Sequence, residues 1–313
     1  MEKSSLHTPV LLITFNRPNH TRRVLSEILK AKPQNLYVFQ DGAREGNQND
    51  VEMCNGVREV VENLTKESST RLHTYYSERN LGCGPGPATA ITWFFENEEQ
   101  GMIFEDDCLP SPTIFGFYEE LLGRYKDDER VSLITGTNAL SHWKSYRYDY
   151  IFSRHGGMTM GCWASWRRAW KLFDFEIKTW GQQENKDQLL RNVGKKRFAE
   201  WKVILDNYYA HPPRDAWDYQ WAYARELYGT YSIVSSVNQM SNIGFGEEST
   251  HTPNADDRRA GMKTFSCRIP LRYHQSRIDR LFDWVMYQRF SRTTKKSLVL
   301  RCVLKIIELL CHQ

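Results

Sequence analysis

The sequence predicts an α/β protein: a doubly wound, mostly parallel sheet, then a second α+β half and a helical C-terminal tail. Two observations carry this. Between Pro9 and about Asn138, short apolar runs alternate with stretches of helical period, the pattern that builds a parallel sheet by right-handed crossovers. The runs are also continuously apolar rather than alternating, as expected of strands covered on both faces. With 313 residues, 40% hydrophobic and 26% charged, the chain is long enough to bury a sizeable core.

The predicted strands are VLLITF (10–15), LYVFQ (36–40), LHTYY (72–76), MIFE (102–105) and VSLIT (131–135). Helices are predicted between them over 21–31, 50–64, 88–99 and 113–127. In the first two, Val24, Leu25, Ile28 and Leu29, then Val57, Val60, Val61 and Leu64, recur at i, i+3, i+4 spacing. Beyond residue 150 the character changes. HGGMTMGCWASWRRAW leads toward a helix, a polar stretch covers 181–196, and a helix is expected near 198–209. After Pro212-Pro213, DAWDYQWAYARELYG reads as a helix capped by Asp215 and stopped by Gly229, and TYSIVSSV as a strand.

Charge is unevenly distributed. Residues 268–313 hold ten Lys/Arg against three Asp/Glu, a tail of +7, whereas the remainder carries 32 basic and 35 acidic residues, or −3. A mildly acidic body excludes a globally basic nucleic-acid binder, and the tail favours an anionic surface. Seven scattered cysteines without a CxxC pair point to a reduced chain with no structural zinc. The N-terminal apolar run is too short for a signal peptide, and Leu298–Leu310 is interrupted by Arg301, Lys305 and Glu308, so no segment spans a bilayer. The expected location is cytoplasmic, peripheral on the inner face of the membrane. There the tail's stripe of Ile278, Leu281, Phe282, Val285 and Met286 would lie in the headgroup layer; the alternative is a helix pair folded over the body or making a dimer contact.

In open α/β sheets ligands bind at the carboxyl ends of strands, and three features stand there. Glu105-Asp106-Asp107 ends an apolar strand; three adjacent carboxylates call for compensation, and a hard cation such as Mg²⁺ or Mn²⁺ bridging to phosphates would supply it. The bland alternative is a solvated acidic turn. Asp41-Gly42 closes LYVFQ and reads either as an acceptor for a ribose or base, or as an ordinary Asp-Gly turn. NLGCGPGPATAI (80–91), with Gly82, Gly84 and Gly86, looks like a phosphate loop whose following helix offers N–H groups, although it lacks GxGxxG spacing. Further on, Asp215 and Asp218 share a helical face near Trp217 and Trp221, suiting a sugar site; in the bland reading Asp215 is a cap and the tryptophans are core. His251, in SNIGFGEESTHT, is a candidate metal ligand or diphosphate contact, or a solvated loop histidine.

The order strand-FNRP, strand-QDG, strand-EDD followed by SPTIFGFYEELLGRYKDDERV, then GMTMGCWASWRRAW and WDYQW, resembles the GT-A nucleotide-sugar glycosyltransferases. The likeness is to the inverting N-acetylglucosaminyltransferase I type and its bacterial surface-polysaccharide relatives, and it covers residues 9 to 246 in unbroken order. It implies that 1–267 is a GT-A domain, with 1–138 the nucleotide-sugar half and 139–267 the acceptor half, and that 268–313 is a basic amphipathic tail. Glu105, Asp106 and Asp107 fall on the family's DxD motif, with Asp107 the ligand for Mn²⁺ or Mg²⁺ and Asp106 nearer the ribose. Asp41 falls on the acid that reads the base. Asn16 and Arg17 fall near the nucleotide, with Gly82 in the loop beside it. Asp218 falls near the catalytic base, and because Tyr219-Gln220 departs from the usual Trp-Asp-Asp-Trp, Asp215 is the alternative. The implied activity is inverting transfer from a nucleoside-diphosphate sugar to a saccharide or lipid-linked saccharide. The competing readings are a non-catalytic sugar-nucleotide or glycan-binding scaffold, and a sugar nucleotidyltransferase. The latter calls for a Gly-rich basic loop after the first strand, where this chain has FNRPNH.

Overall fold

The computed structural model describes residues 5–156, 161–211, 215–245, 260–272, 277–290 and 298–311. Its first half alternates as the periodicity requires: β1 (Val10–Thr14), α1 (Pro18–Lys30), β2 (Asn35–Gln40), α2 (Gln48–Thr65), β3 (Arg71–Tyr76), α3 (Pro85–Asn97) and β4 (Gln100–Glu105). A short β5 (Cys108–Pro110), α4 (Ile114–Arg124) and β6 (Val131–Thr135) follow. α1 starts three residues before the apolar pattern does, because Pro18 at its first turn lacks an N–H that the helix would leave unpaired in any case.

The second half holds β7 (Tyr150–Ser153), β8 (Cys162–Trp166), α5 (Arg167–Trp170), α6 (Gln183–Ala210), α7 (Asp218–Leu227), β9 (Tyr231–Ser235), β10 (Met240–Asn242), α8 (Arg280–Phe290) and α9 (Leu298–Cys311). Eight strands form one sheet in the order β3-β2-β1-β4-β8-β6-β9-β7. β3, β2, β1, β4, β6 and β9 run parallel; β8 lies antiparallel between β4 and β6, and β7 is an antiparallel edge.

Both faces of the sheet are covered. Val10, Leu12, Val38 and Phe104 pack with Val24, Ile28 and Leu121 of α1 and α4 on one side. Leu11, Ile13, Phe39 and Ile103 pack with Ile91 and Phe94 of α3 and with a tryptophan group on the other. Fully burying such side chains stabilises the fold by about 1.5–3 kcal/mol each.

CWASW leads into a helix as expected, the short α5, and is itself a strand that was not predicted, β8; its alternation puts Trp163 on one face and Cys162, Ala164 and Trp166 on the other. Two expectations need correction. The polar stretch 181–196 is largely helical, joined through a kink at Gly194 to the helix expected over 198–209. α7 begins at Asp218 with Trp217 at its cap position, so Asp215 lies outside the helix and caps nothing. Its stop is where the sequence put it: Thr230 N–H bonds Arg225 O (2.9 Å) and Gly229 N–H bonds Glu226 O (3.2 Å).

The tail helices pack on the body. Phe282, Val285 and Met286 of α8 and Leu304 and Cys311 of α9 share a cluster with Trp143, Ile151 and Val234. Trp143 Nε1 donates to Asp279 (3.0 Å), and Arg272 pairs with Asp149 (2.7 Å). Among the described residues no helix is long and apolar enough to cross a membrane.

Candidate active site at the carboxyl ends of β1 and β4

β1 and β4 are neighbours in the sheet, so the segments leaving their carboxyl ends meet. Asn16-Arg17 leaves β1 and Asp106-Asp107 leaves β4. The Arg17 guanidinium pairs with Asp106 and reaches Asp107 Oδ2 at 3.2 Å. Part of the compensation that three adjacent acids demand is therefore a guanidinium of the same chain. Asp106 is only 2% exposed beneath it. Glu105 is pushed up to about 8, first by burial and then by Asp107 and Asp106; Arg17 pulls it down, and the Asp218 carboxylate adds to the rise. Asp218, exposed in the first turn of α7, is thus electrostatically part of the same corner as the β4 acids.

Asp107 is held by close backbone approach. Its carbonyl accepts from Ile243 N–H (2.8 Å), its Oδ1 accepts from Cys108 Sγ (3.1 Å), and the Ile243 carbonyl contacts His20 Nε2 (3.0 Å). Two glycines permit this. A Cβ on Gly244 would stand 2.3 Å from Asp107 Oδ2, and one on Gly161, which has φ +68, would stand 1.8 Å from Cys108 Sγ. His20, Gly161 and Gly244 were not singled out from the sequence, though both glycines lie in motifs quoted above, GMTMGCW and SNIGFG.

Asp41 has a different environment. Gly42 N–H (2.9 Å) and Leu81 N–H (2.8 Å) donate to its Oδ1; Gly82 N–H (2.9 Å) and Asn80 Nδ2 (3.1 Å) donate to its Oδ2. Four donors fill a carboxylate's usual four acceptor positions. Burial raises its pKa, partly offset by these N–H groups, and the side chain organises the loop into α3. That helix offers little to a phosphate: Pro85 and Pro87 have no N–H, Gly86 N–H bonds Gly82 O (2.9 Å), and Ala88 N–H bonds Gly84 O (3.4 Å). Asn16 is likewise engaged, its Nδ2 donating to Asp50 (2.8 Å).

Trp217 and Trp221 are buried with Trp163 and Trp170, so they are core rather than a sugar platform. His251 lies outside the described residues. Among the described residues no three His, Cys, Asp or Glu side chains are arranged to hold a metal ion. A single carboxylate completed by donor phosphates and water would suit Mg²⁺ or Mn²⁺, and Asp107, beside an acid group that Arg17 alone does not neutralise, fits that demand.

No family's sequence profile matches the chain, and no curated protein does. Among solved structures, the chain is similar to a UDP-glucose pyrophosphorylase complexed with UDP-glucose, at 8% identity and TM-score 0.36, covering 74% of this chain and 91% of that one. HddC from Yersinia pseudotuberculosis matches at 8% identity and TM-score 0.32, covering 56% and 86%. The inositol-1-phosphate CTP transferase from T. maritima matches at 9% identity and TM-score 0.31, covering 56% and 74%. Scores this low leave the activities of those proteins as statements about them alone. What the structure itself defines is an α/β protein with a mostly parallel sheet and an acid cluster at a strand-end crevice.

Proposed function

We propose that this chain is an inverting, metal-dependent glycosyltransferase that moves a sugar from a nucleoside-diphosphate donor to a saccharide hydroxyl. The observation that carries the reading is the pairing of Arg17 with Asp106 and Asp107 where β1 and β4 end, with the Asp218 carboxylate near enough to raise Glu105. Asp107 would hold Mn²⁺ or Mg²⁺, which when bound stabilises charge on the departing diphosphate. Arg17 fixes Asp106 and Asp107 and keeps the acids together. Asp218, exposed at the start of α7, takes the acceptor hydroxyl proton while the oxygen attacks the anomeric carbon from the face opposite the leaving group. The glycosidic bond to the diphosphate breaks with its electron pair staying on phosphate oxygen. Asn16, Asp41 and Gly82 act one layer back, shaping the crevice.

The test is incubation with nucleoside-diphosphate sugars and Mn²⁺, with and without saccharide acceptors, following product by mass and its anomeric configuration by NMR. A second reading, a sugar nucleotidyltransferase, takes its support from the solved structures named above. It requires pyrophosphate release from a nucleoside triphosphate and a sugar phosphate, and that result without transfer would replace the first reading. Donor binding with neither reaction would leave a scaffold.

The same reading gives the tail a place. One side of α9 packs inward through Leu304 and Cys311, while Ile306, Leu309 and Leu310 are 57%, 63% and 70% exposed, with Arg301 and Lys305 beside them. An apolar face edged by cations suits the headgroup layer of an anionic bilayer, where a lipid-linked acceptor would be presented. Ile306→Glu with Leu310→Glu should abolish co-sedimentation with anionic vesicles and leave donor binding intact.

A further inference from the structure

A cavity of about 1140 Å³ opens at the far edge of the sheet, where β7 and α8 meet, lined by Lys144, Arg154, Arg277 and Arg280 with Tyr148 and Tyr231. Two carboxylates also reach it, and both are already used. Asp279 pairs with Lys144 (2.7 Å), accepts from Trp143 Nε1, and caps α8 by accepting from Phe282 N–H (3.0 Å). Asp283 accepts from the Ser153 hydroxyl and from Arg154 N–H (3.1 Å). The arginines are not so engaged. Arg154 touches only Asn192 O (3.3 Å) and the Tyr231 ring (5.6 Å), and among the described residues neither it, Arg277 nor Arg280 has a carboxylate partner. Three guanidiniums and Lys144 against the two carboxylates leave a net charge of +2 around one open cavity, which suits an anion, and the planar guanidinium forks match phosphate oxygens in pairs.

We propose that this cavity binds a phosphate group through Arg154, Arg277 and Arg280. It is separate from the acid cluster. His155, on its wall, contacts Glu226 at the last turn of α7, whereas Asp218 opens that helix eight residues earlier, about 12 Å away along its axis. The phosphate comes either from a soluble phosphate ester or from a lipid headgroup, since Leu281 and Trp284, each 39% exposed on α8, stand next to Arg280.

The test uses the full chain in EDTA, so that metal-dependent binding at Asp107 is silent. Pyrophosphate is titrated by calorimetry, and flotation is run with phosphatidylcholine vesicles with and without phosphatidic acid. Binding of pyrophosphate identifies a soluble source, and selective flotation with phosphatidic acid identifies a lipid source. In either case Arg277→Ala with Arg280→Ala should weaken binding at least about tenfold, the scale of one lost charged hydrogen bond. Lys at both positions should restore it only partly, and Asp107→Asn should leave it unchanged. Both exchanged arginines are exposed, so an unaltered circular dichroism spectrum is expected. Binding of neither probe, or binding indifferent to the alanine pair, overturns the proposal.

Discussion

Two acid groups stand at strand ends of one sheet, one strand apart, and meet opposite fates. Asp41, after β2, accepts from three backbone N–H groups and one side-chain amide, one of them from the adjacent Gly42 and three from the loop into α3. The Glu105–Asp107 group, after β4, has one guanidinium for three carboxyl groups, and a fourth acid, Asp218, within electrostatic reach. The first arrangement is closed: each acceptor position has a donor, so the acid's work is structural. The second is open: its charge is incompletely matched, which makes it a place for a ligand to complete. Position at a strand's carboxyl end nominates both acids; their partners separate them.

The largest effect expected from that contrast is on the open side. Asp107→Ala should abolish metal-dependent turnover and donor binding, while relief of like-charge repulsion leaves the melting temperature equal or higher. Full activity of this variant in a Mn²⁺ titration would remove the acid cluster from the chemistry. Next comes Asp218→Asn, expected to lower the rate by about 10²-fold with donor affinity kept, the usual scale for a lost general base. Asp215→Asn should do neither, because Asp215 precedes α7 and caps no helix. Exchanged phenotypes would move the base to Asp215.

Much of this was legible in the sequence, for identifiable reasons. All five strands expected in the first half form; four are runs buried on both faces, which announce themselves by continuous apolarity, and β3 is a half-exposed edge strand. Glu105–Asp107 was legible because the strand end fixes where it stands, whereas Arg17 entered through the family resemblance alone and its pairing with Asp106 and Asp107 was not foreseen. β8 was not, since five residues with Trp and Ser in alternation carry too little pattern to reveal a strand inserted antiparallel between β4 and β6. The full engagement of Asp41 was also hidden: three of its four donors come from residues 80–82, some forty positions away, and no local rule pairs them with it.

A third acid extends the comparison to charged partners. Glu226 is buried, which alone would raise its pKa, yet Arg197 and the His155 hydrogen bond outweigh burial and hold it at about 2. A depressed carboxyl contributes stability above its unfolded value of 4.5 and loses it as pH falls toward 2. Unfolding free energies from urea titrations should therefore drop across that window more in the wild type than in Glu226→Gln, by an amount on the order of 3 kcal/mol. Parallel curves for the two proteins would show that Glu226 gains nothing from its partners.

The smallest expected effect falls on Asp41 itself, and it sharpens the contrast most directly. Asp41→Asn keeps the side chain's shape but replaces one acceptor oxygen by an NH₂ group. Whichever way the amide turns, two of the four donors from Gly42, Asn80, Leu81 and Gly82 then face a donor instead of an acceptor. Leaving buried donors unpaired costs about 1–3 kcal/mol, and because Asp41 is only 8% exposed, water offers little replacement. The expected result is a lower urea midpoint, loosened protection of the amides at Leu81 and Gly82 in hydrogen exchange, and donor affinity unchanged at temperatures where the variant is folded. A variant of wild-type stability that binds nucleotide at least about tenfold more weakly would reverse the assignment, since tenfold corresponds to one lost charged contact to a ligand. Asp41 would then belong with the open acids, reading the donor's base as the family resemblance implies, and the loop's hydrogen bonds would be what a bound nucleotide displaces.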